Sequence, residues 1–364
     1  MLILAPLDVL LPHRVPLVAA TLLQRRDRFI ADVRTADGVE HLAHCVNPGR
    51  MEDFVRVGSA IWLLPSADSA PADDDGGGGA SPPRRARKCA FTWELLEFEL
   101  APAPRSRFFP DAAVVCGTNT QRPNDIVRAL LESRQLAGLD DWSDLRAEQF
   151  LPHDEPPPPP GSTTKRAARS RVDFALVDRD GADHYVEVKN CHSVVEGHGY
   201  FPDSVTERGA RHLGELAALL PESPPSPGVP DAGATRRCTV IFVVQRADVS
   251  AAVRPSDWHD PTFAAAARAA SARGVRFRAV KVVCHPVDGY RIVAEIPVDL
   301  ERYDTAPVAA ACAAAAPHTG WMRTAGKGSS PPRLVANGEF KHNQPPKQRK
   351  RKAATEANGV KEED

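Results

Sequence analysis

The sequence predicts two folded domains, a small β-barrel or β-sandwich followed by an α/β domain. From residue 18 to 105, short β-like segments alternate with Gly and Pro, which is typical of a small all-β domain. From 106 to 302, strand-like segments alternate with helical ones, which favours an α/β sheet. A chain of 364 residues is long enough for about two such domains.

Low-complexity segments reduce the part of the chain that folds. Stretches rich in Pro, Gly, Ser and Ala interrupt the two domains at 66–87, 152–165 and 221–235. They bury too little apolar surface to offset their chain entropy. Disorder is predicted for the same reason at 303–364, which is Ala-rich and then basic. Residues 1–17 are interpreted as a docked N-terminal segment, with a targeting peptide as the alternative.

The first domain is predicted to be a series of short strands. RFIADVRT, ADG and VEHLAHCV (28–46) indicate a hairpin, because Asp-Gly supplies the positive φ of a tight turn. GSAIWLLP (58–65) and CAFTWELLEFEL (89–100) add further strands. Aromatic residues at alternate strand positions are typical of a core, so we expect Phe91 and Trp93 to be buried.

The second domain is predicted to begin with two helices and a strand pair. A helix over 122–139 has an apolar stripe at helical period, and Asn124 is its expected cap. A short helix is predicted over 141–150. The strand pair at 171–190 is joined by the polar turn DRDGAD.

The rest of the second domain alternates regularly. A helix over 203–220 is opened by a capping-box pattern from Ser204 to Glu207. The continuously apolar TVIFVVQ (239–245) is typical of a strand covered on both faces. The remaining predicted elements are a helix over 261–274 and strands over 275–284 and 290–300.

Charge and cysteine content restrict the function classes. The net charge of −1 does not by itself predict a polyanion partner, but basic clusters stand at 84–88, 165–171 and 347–352. Seven cysteines are scattered without C-x-x-C, so we predict a reducing compartment; the cytoplasm and the nucleus fit, and an organelle stays open. No run reaches the about 18 apolar residues of a membrane span, so no membrane association is expected.

The principal candidate site lies in SRVDFALVDRDGADHYVEVKN, residues 170–190. Period two places Glu187 and Lys189 on one face of the second strand, and Asp173 can face them across the hairpin. Two carboxylates supply hard oxygen ligands for Mg²⁺ or Mn²⁺, and an ammonium group can orient or help deprotonate the attacking water. The pattern predicts phosphodiester hydrolysis, with an ordinary exposed strand face as the alternative. Glu148 is a further candidate carboxylate.

Basic residues near this trio and in the barrel are candidates for phosphate contact. Two arginines flank the Asp, and an Arg and a His lie one helical turn apart on the following helix. A charged helix surface is the alternative for the second pair. Basic residues of the predicted barrel are further candidates. The candidates are Arg28, Arg50, Arg169, Arg171, Arg208 and His212.

Five ordered blocks resemble the sugar fermentation stimulation protein (SfsA) family. They are HCVNPGRM, FTWELLEFE, SRVDFAL, YVEVKNCH and GYFPDSVTERGARHL, and the resemblance runs from about 18 to 300. It implies an N-terminal OB-fold barrel and a C-terminal α/β domain like the PD-(D/E)XK nucleases. It further implies DNA binding, and in bacteria a regulatory role connected with maltose metabolism.

The resemblance also assigns roles to residues of this chain. It implies Asp173 and Glu187 as metal ligands, Lys189 as the catalytic lysine and Glu148 as the upstream acid. Two positions depart from the family pattern. N-P-G-R-M at 47–51 stands where N-T-G-x-M is familiar, and Ala210 stands where an amide is expected.

The sequence therefore predicts a DNA-binding protein with Mg²⁺- or Mn²⁺-dependent phosphodiester cleavage. A non-catalytic DNA-binding regulator, related to regulators of sugar metabolism, is the alternative. An RNA-processing or protein-interaction module is a third class, because a barrel fold by itself does not specify which ligand it binds. The expected partner is DNA, and a homodimer is kept open as the assembly.

Overall fold

The computed structural model describes residues 4–26, 29–49, 51, 54–66, 89–99, 113–152, 170–221, 235–315, 321–325 and 333–336. The strands in these ranges are β1 Ala5–Leu11, β2 Val18–Arg26, β3 Ile30–Thr35, β4 Glu40–His44, β5 Ala60–Pro65, β6 Phe91–Glu99, β7 Ala113–Gly117, β8 Trp142–Phe150, β9 Arg171–Asp178, β10 Asp183–Cys191, β11 Ser193–Val195, β12 His198–Phe201, β13 Arg236–Val244, β14 Val253–Pro255, β15 Arg276–His285, β16 Gly289–Ile296, β17 Trp321–Ala325 and β18 Arg333–Ala336. The helices are α1 Arg122–Ser133, α2 Glu207–Ala218, α3 Pro261–Ala272 and α4 Ala306–Ala315. The predicted insertions at 66–87, 152–165 and 221–235 lie almost wholly outside the described residues.

The first domain is a closed barrel of five strands. β2, β3, β4, β6 and β5 pair in this order, and β5 pairs with β2 to close the ring. Of the two predicted alternatives, the closed ring of strands confirms the β-barrel and not the β-sandwich. Trp93 is fully buried in the barrel core, and Phe91 packs partly buried against it. The β3–β4 hairpin turns at Gly38, whose φ of 83° is the positive value predicted for the Asp-Gly turn.

The second domain is a seven-stranded sheet in the order β1-β16-β15-β13-β10-β9-β8. β10, β13 and β15 run parallel to one another, and the strands outside them are antiparallel. The apolar side of α1 packs into one hydrophobic core, while α2 and α3 pack into another. Ile241 and Val243 belong to the first core and Val240 and Phe242 to the second, so β13 is covered on both faces as predicted.

The helix predicted over 141–150 is wrong, because these residues form the edge strand β8. Leu145 and Ala147 are partly buried against the core, while Arg146 and Glu148, which alternate with them, are exposed. This period of two matches a half-buried strand, and antiparallel pairing with β9 supplies its backbone hydrogen bonds. Glu148 therefore lies on a strand and not on a helix.

Two segments extend sheets beyond the predicted domain limits. In the docked segment 1–17, β1 pairs antiparallel with β16 and becomes the edge strand of the second domain's sheet. β7 pairs antiparallel with β6, so the barrel's sheet continues past the predicted limit at residue 105. After β1 and the barrel, the chain therefore returns to the second domain at α1.

The disorder predicted for all of 303–364 is wrong for three segments. Helix α4 buries Val308 and Cys312 in a small cluster with Tyr200, so an Ala-rich segment is ordered by a few apolar contacts. Strand β17 pairs with β2, and β18 pairs with β17. No helix in the described ranges is long and apolar enough to cross a membrane.

A buried carboxylate joins the two domains. Glu94, on β6, is fully buried and accepts hydrogen bonds from Arg122 Nε, from Asn119 Nδ2 at 2.7 Å and from the hydroxyl of Tyr290 at 2.5 Å. Burial and the charge of Glu94 raise the pKa of Tyr290 well above its ordinary value, so its hydroxyl remains a donor. One barrel side chain thereby holds the start of α1 and strand β16.

A loop of the barrel makes a further contact between the domains. In the block HCVNPGRM, the backbone N–H of Met51 donates to Asp203 Oδ2 at 3.0 Å, and His192 Nε2 lies 3.2 Å from the same oxygen. Burial opposes the charge of Asp203, but these hydrogen bonds outweigh it and hold its pKa well below the ordinary value. A Cβ at Gly49 would lie 2.4 Å from Asp203 Oδ2, so only glycine allows this approach.

Replacement of Glu94 should weaken the contact between the domains. We expect Glu94→Gln to lower the free energy of unfolding by on the order of 3 kcal/mol, because it removes the fully buried one of the two charged partners of Arg122 and leaves only Asp125. Urea unfolding followed by circular dichroism measures this. The matched control is Glu99→Gln on the same strand, where the side chain is exposed. Equal midpoints for the two variants would contradict a role for the buried charge.

Candidate functional site

A cavity of about 480 Å³ opens between the second domain's sheet and the first turns of α1 and α2. Carboxylates and basic side chains line it together. The sequence-predicted residues among them are Glu148, Arg171, Asp173, Glu187, Lys189, Arg208 and His212. Three other candidates, Arg28, Arg50 and Arg169, lie outside the described residues.

Asp173 is held where the β9–β10 ladder ends. Pairing runs from Asp183 opposite Val177 to Val186 opposite Phe174. Beyond that point the backbone N–H of Val188 donates to Asp173 Oδ2 at 2.7 Å, so this side chain satisfies a donor that the ladder leaves open.

The other oxygen of Asp173 is held by α1. Asn124 Nδ2 donates to Asp173 Oδ1 at 2.9 Å. The prediction of Asn124 as a helix cap is wrong, because α1 has Gln121 as its N-cap and Asn124 lies inside the first turn. Sequence reasoning missed this role, since nothing local links Asn124 to a strand 49 residues away.

Glu187 is held by a lysine on its own strand and a histidine on α2. Lys189 Nζ donates to Glu187 Oε1 at 2.6 Å, and His212 Nδ1 lies 2.8 Å from the same oxygen. Arg208 Nε donates to His212 Nε2 at 3.4 Å, which assigns the donating hydrogen of the ring to Nδ1. His212 is 5% exposed, so within this structure it positions Glu187 from inside the cavity wall.

The N-cap of helix α2 is Thr206, and the helix begins at Glu207. Thr206 Oγ1 accepts a hydrogen bond from the N–H of Gly209 at 3.1 Å, so the predicted Ser204–Glu207 capping box is wrong. This start directs Arg208, Arg211 and His212 to the cavity. Arg211 was missed, although its spacing of three residues from Arg208 is one that places helix residues side by side.

The two carboxylates have opposite pKa shifts. Burial, and then the charge of Glu187, raises the pKa of Asp173. Burial also acts to raise the pKa of Glu187, but the hydrogen bond from His212 and the charge of Lys189 outweigh it and lower that pKa. Two negative charges are therefore close together, with one of them incompletely neutralised by the protein.

The donor set fits a divalent cation that prefers oxygen ligands. Mg²⁺ is usually held by one or two carboxylates and keeps several waters. Asp173 and Glu187 supply two carboxylates, close enough for the charge of one to raise the pKa of the other. Within the described ranges no group of three or more His, Cys, Asp or Glu forms a metal cage. Such a cation would thus be held by few protein ligands.

Glu148 lies at the rim of the cavity. Its side chain is 59% exposed and approaches Arg171 at 3.8 Å. Its φ of 54° is in the left-handed region, which is uncommon for a residue other than glycine. This backbone conformation occurs at the point where β8 passes the cavity.

The opposite shifts predict opposite effects on stability. A raised pKa in the folded state means that the charge of Asp173 destabilises the fold above pH 4, whereas the lowered pKa of Glu187 means that its charge stabilises it. We expect Asp173→Asn to raise the free energy of unfolding by about 1 kcal/mol at pH 7. Both hydrogen bonds of residue 173 can be kept in this variant. The new amide oxygen accepts from the Val188 N–H, and the new amide nitrogen donates to the Asn124 oxygen once the Asn124 amide has rotated.

Glu187→Gln should instead lower the free energy of unfolding by about 3 kcal/mol, because Lys189 loses its buried partner. Urea unfolding of both variants at pH 7 in EDTA measures the two effects. A loss of stability in Asp173→Asn as large as that in Glu187→Gln would contradict the assignment of unlike environments.

Comparison with known proteins covers both domains. The family model described as "SfsA N-terminal OB domain" matches residues 23–101, and that described as "Sugar fermentation stimulation protein RE domain" matches 121–287. The N-terminal barrel is therefore an OB domain. The predicted two-domain fold is confirmed.

Individual relatives cover most of the chain. The sugar fermentation stimulation protein homolog of Jannaschia sp. strain CCS1 is 33% identical over 289 residues, covering 78% of this chain and 95% of the relative. That of Thioalkalivibrio sulfidiphilus is 34% identical, covering 79% and 97%. The solved structure of Pyrococcus furiosus SfsA in complex with Ca²⁺ has a TM-score of 0.56 at 22% identity, covering 80% and 99%. On these matches, the chain belongs to the sugar fermentation stimulation protein family.

Proposed function

We propose that the protein binds DNA and cleaves its phosphodiester bonds with Mg²⁺ or Mn²⁺ held by Asp173 and Glu187. The observation that carries the proposal is that Asp173, Glu187 and Lys189 line one cavity. Carboxylates for a cation and an ammonium for a water molecule are the groups that this hydrolysis needs.

Each residue of the trio has a separate role in the proposed cleavage. When bound, the cation offsets negative charge that grows on the phosphate. Asn124 and the Val188 N–H fix both oxygens of Asp173, and His212 fixes one oxygen of Glu187. Lys189 Nζ, at 2.6 Å from Glu187 Oε1, can donate a hydrogen bond that orients the attacking water, and its positive charge stabilises the hydroxide formed when the water loses its proton to solvent.

Basic side chains at the cavity support a phosphate-containing substrate. Arg171, Arg208 and Arg211 line it beside the carboxylates. Guanidinium groups bind phosphate oxygens through paired N–H donors. A phosphodiester can thus be held by the arginines while its phosphorus faces the carboxylates.

The family relationship adds two lines of support. OB barrels bind single-stranded nucleic acids in many proteins, and this chain has one beside the cavity. The solved relative from Pyrococcus furiosus is in complex with Ca²⁺. Ca²⁺ and Mg²⁺ both take oxygen ligands, which is the kind that Asp173 and Glu187 offer.

Cleavage of labelled single- and double-stranded DNA by the purified full chain tests the proposal. We expect cutting with Mg²⁺ or Mn²⁺, none in EDTA, and a loss of about 100-fold or more in Asp173→Ala and in Lys189→Ala. Asp288→Ala, in the exposed turn between β15 and β16, is the control and should cut like wild type. DNA that is retarded but never cut would leave a non-catalytic DNA-binding protein.

Binding should depend steeply on salt, because each arginine on a phosphate releases condensed counterions. We expect Arg211→Ala to weaken duplex binding and to reduce the slope of log Kd against log salt by about 0.9. Fluorescence anisotropy across a KCl series measures this. Arg179→Ala, an exposed arginine paired with Asp141 away from the cavity, should leave the slope unchanged. Equal slopes in all three proteins would contradict phosphate contact at Arg211.

A further inference from the structure

An exposed aromatic ring lies beside the cavity, stacked with one of its arginines. Phe150, the last residue of β8, stands directly opposite Arg171 on β9. The guanidinium carbon of Arg171 is 4.9 Å from the centre of the Phe150 ring. The phenylalanine is 47% exposed and the arginine side chain 54% exposed. About half of each side chain in the pair is therefore exposed to solvent.

This pair lies on the face of the sheet that carries the carboxylates. Arg171 and Asp173 are two residues apart on β9, so their side chains leave the strand on the same side. Both line the cavity. A phosphate held at Asp173 and Glu187 would thus have the Phe150–Arg171 pair next to it.

We propose that Phe150 and Arg171 form a stacking platform for one unpaired base beside the scissile phosphate. Aromatic rings and guanidinium planes both stack on nucleobases, without regard to which base is present. A base within a duplex already has neighbours on both faces, so only an unpaired base can use the ring. The substrate class is therefore DNA that is single-stranded at the cut. This inference rests on the proposed function.

Binding of one oligonucleotide in single-stranded and in duplex form tests the platform. Anisotropy is measured in EDTA, so that no cutting occurs, with wild type, Phe150→Ala and Phe150→Trp. We expect Phe150→Ala to weaken single-strand binding about tenfold and duplex binding less than twofold, and Phe150→Trp to restore it. A fluorescent adenine analogue in the strand should be quenched by wild type and Phe150→Trp but not by Phe150→Ala.

The control is Phe29→Ala on the barrel, because Phe29 is 46% exposed and thus matches Phe150. If Phe29→Ala loses single-strand binding and Phe150→Ala keeps it, the stacking residue lies on the barrel and the proposed platform is overturned. An equal loss for both DNA forms, with a lowered unfolding midpoint in Phe150→Ala, would show a structural role and also overturn it.

Failure of the platform can be told from failure of the proposed function. If wild type and Phe150→Ala cut and bind single strands equally well, the stacking platform is contradicted while metal-dependent cleavage is supported. If wild type neither binds nor cuts either DNA form, both fall together. A tenfold loss of single-strand cutting in Phe150→Ala, with duplex cutting unchanged, supports both.

Discussion

The buried charge of Glu94 is the interaction on which the arrangement of the two domains depends. A carboxylate without solvent must be fully hydrogen bonded, and all three of its described donors come from beyond the barrel's closed ring of strands. Arg122, one of them, is the first residue of α1. Two residues further, Asn124 holds Asp173. The barrel therefore fixes the helix turn that fixes a cavity carboxylate, so the barrel is part of the site's framework.

The loop after β4 acts on the other carboxylate through α2. Met51 donates to Asp203, which lies three residues before the cap of α2 at Thr206. His212 on that helix holds Glu187. Each carboxylate is thus tied to the barrel by a different helix. This explains why the block HCVNPGRM, which is far from the cavity in sequence, carries a glycine that no other residue could replace without displacing Asp203.

Local periodicity was enough to predict the strand pair and the shared side of Glu187 and Lys189, because alternation is a property of each strand alone. It could not predict that Glu94 meets Tyr290, 196 residues away, or that Asn124 meets Asp173. Such pairs leave no trace in a short window. For 141–150, Leu145 and Gln149 also fit a helical spacing, and only pairing with β9 decides for the strand.

Asp173 and Glu187 differ in whether the fold stabilises their negative charge. The ammonium group of Lys189 pairs with Glu187 and His212 donates a hydrogen bond to it, so no cation is needed to keep its charge. Asp173 is different, because burial and the nearby charge of Glu187 disfavour its own charge. A sequence selected for stability alone would not keep this charge, and natural proteins depart from local optima mainly at functional sites. The raised pKa of Asp173 is therefore consistent with the proposed cation, whose charge would offset that of the carboxylate.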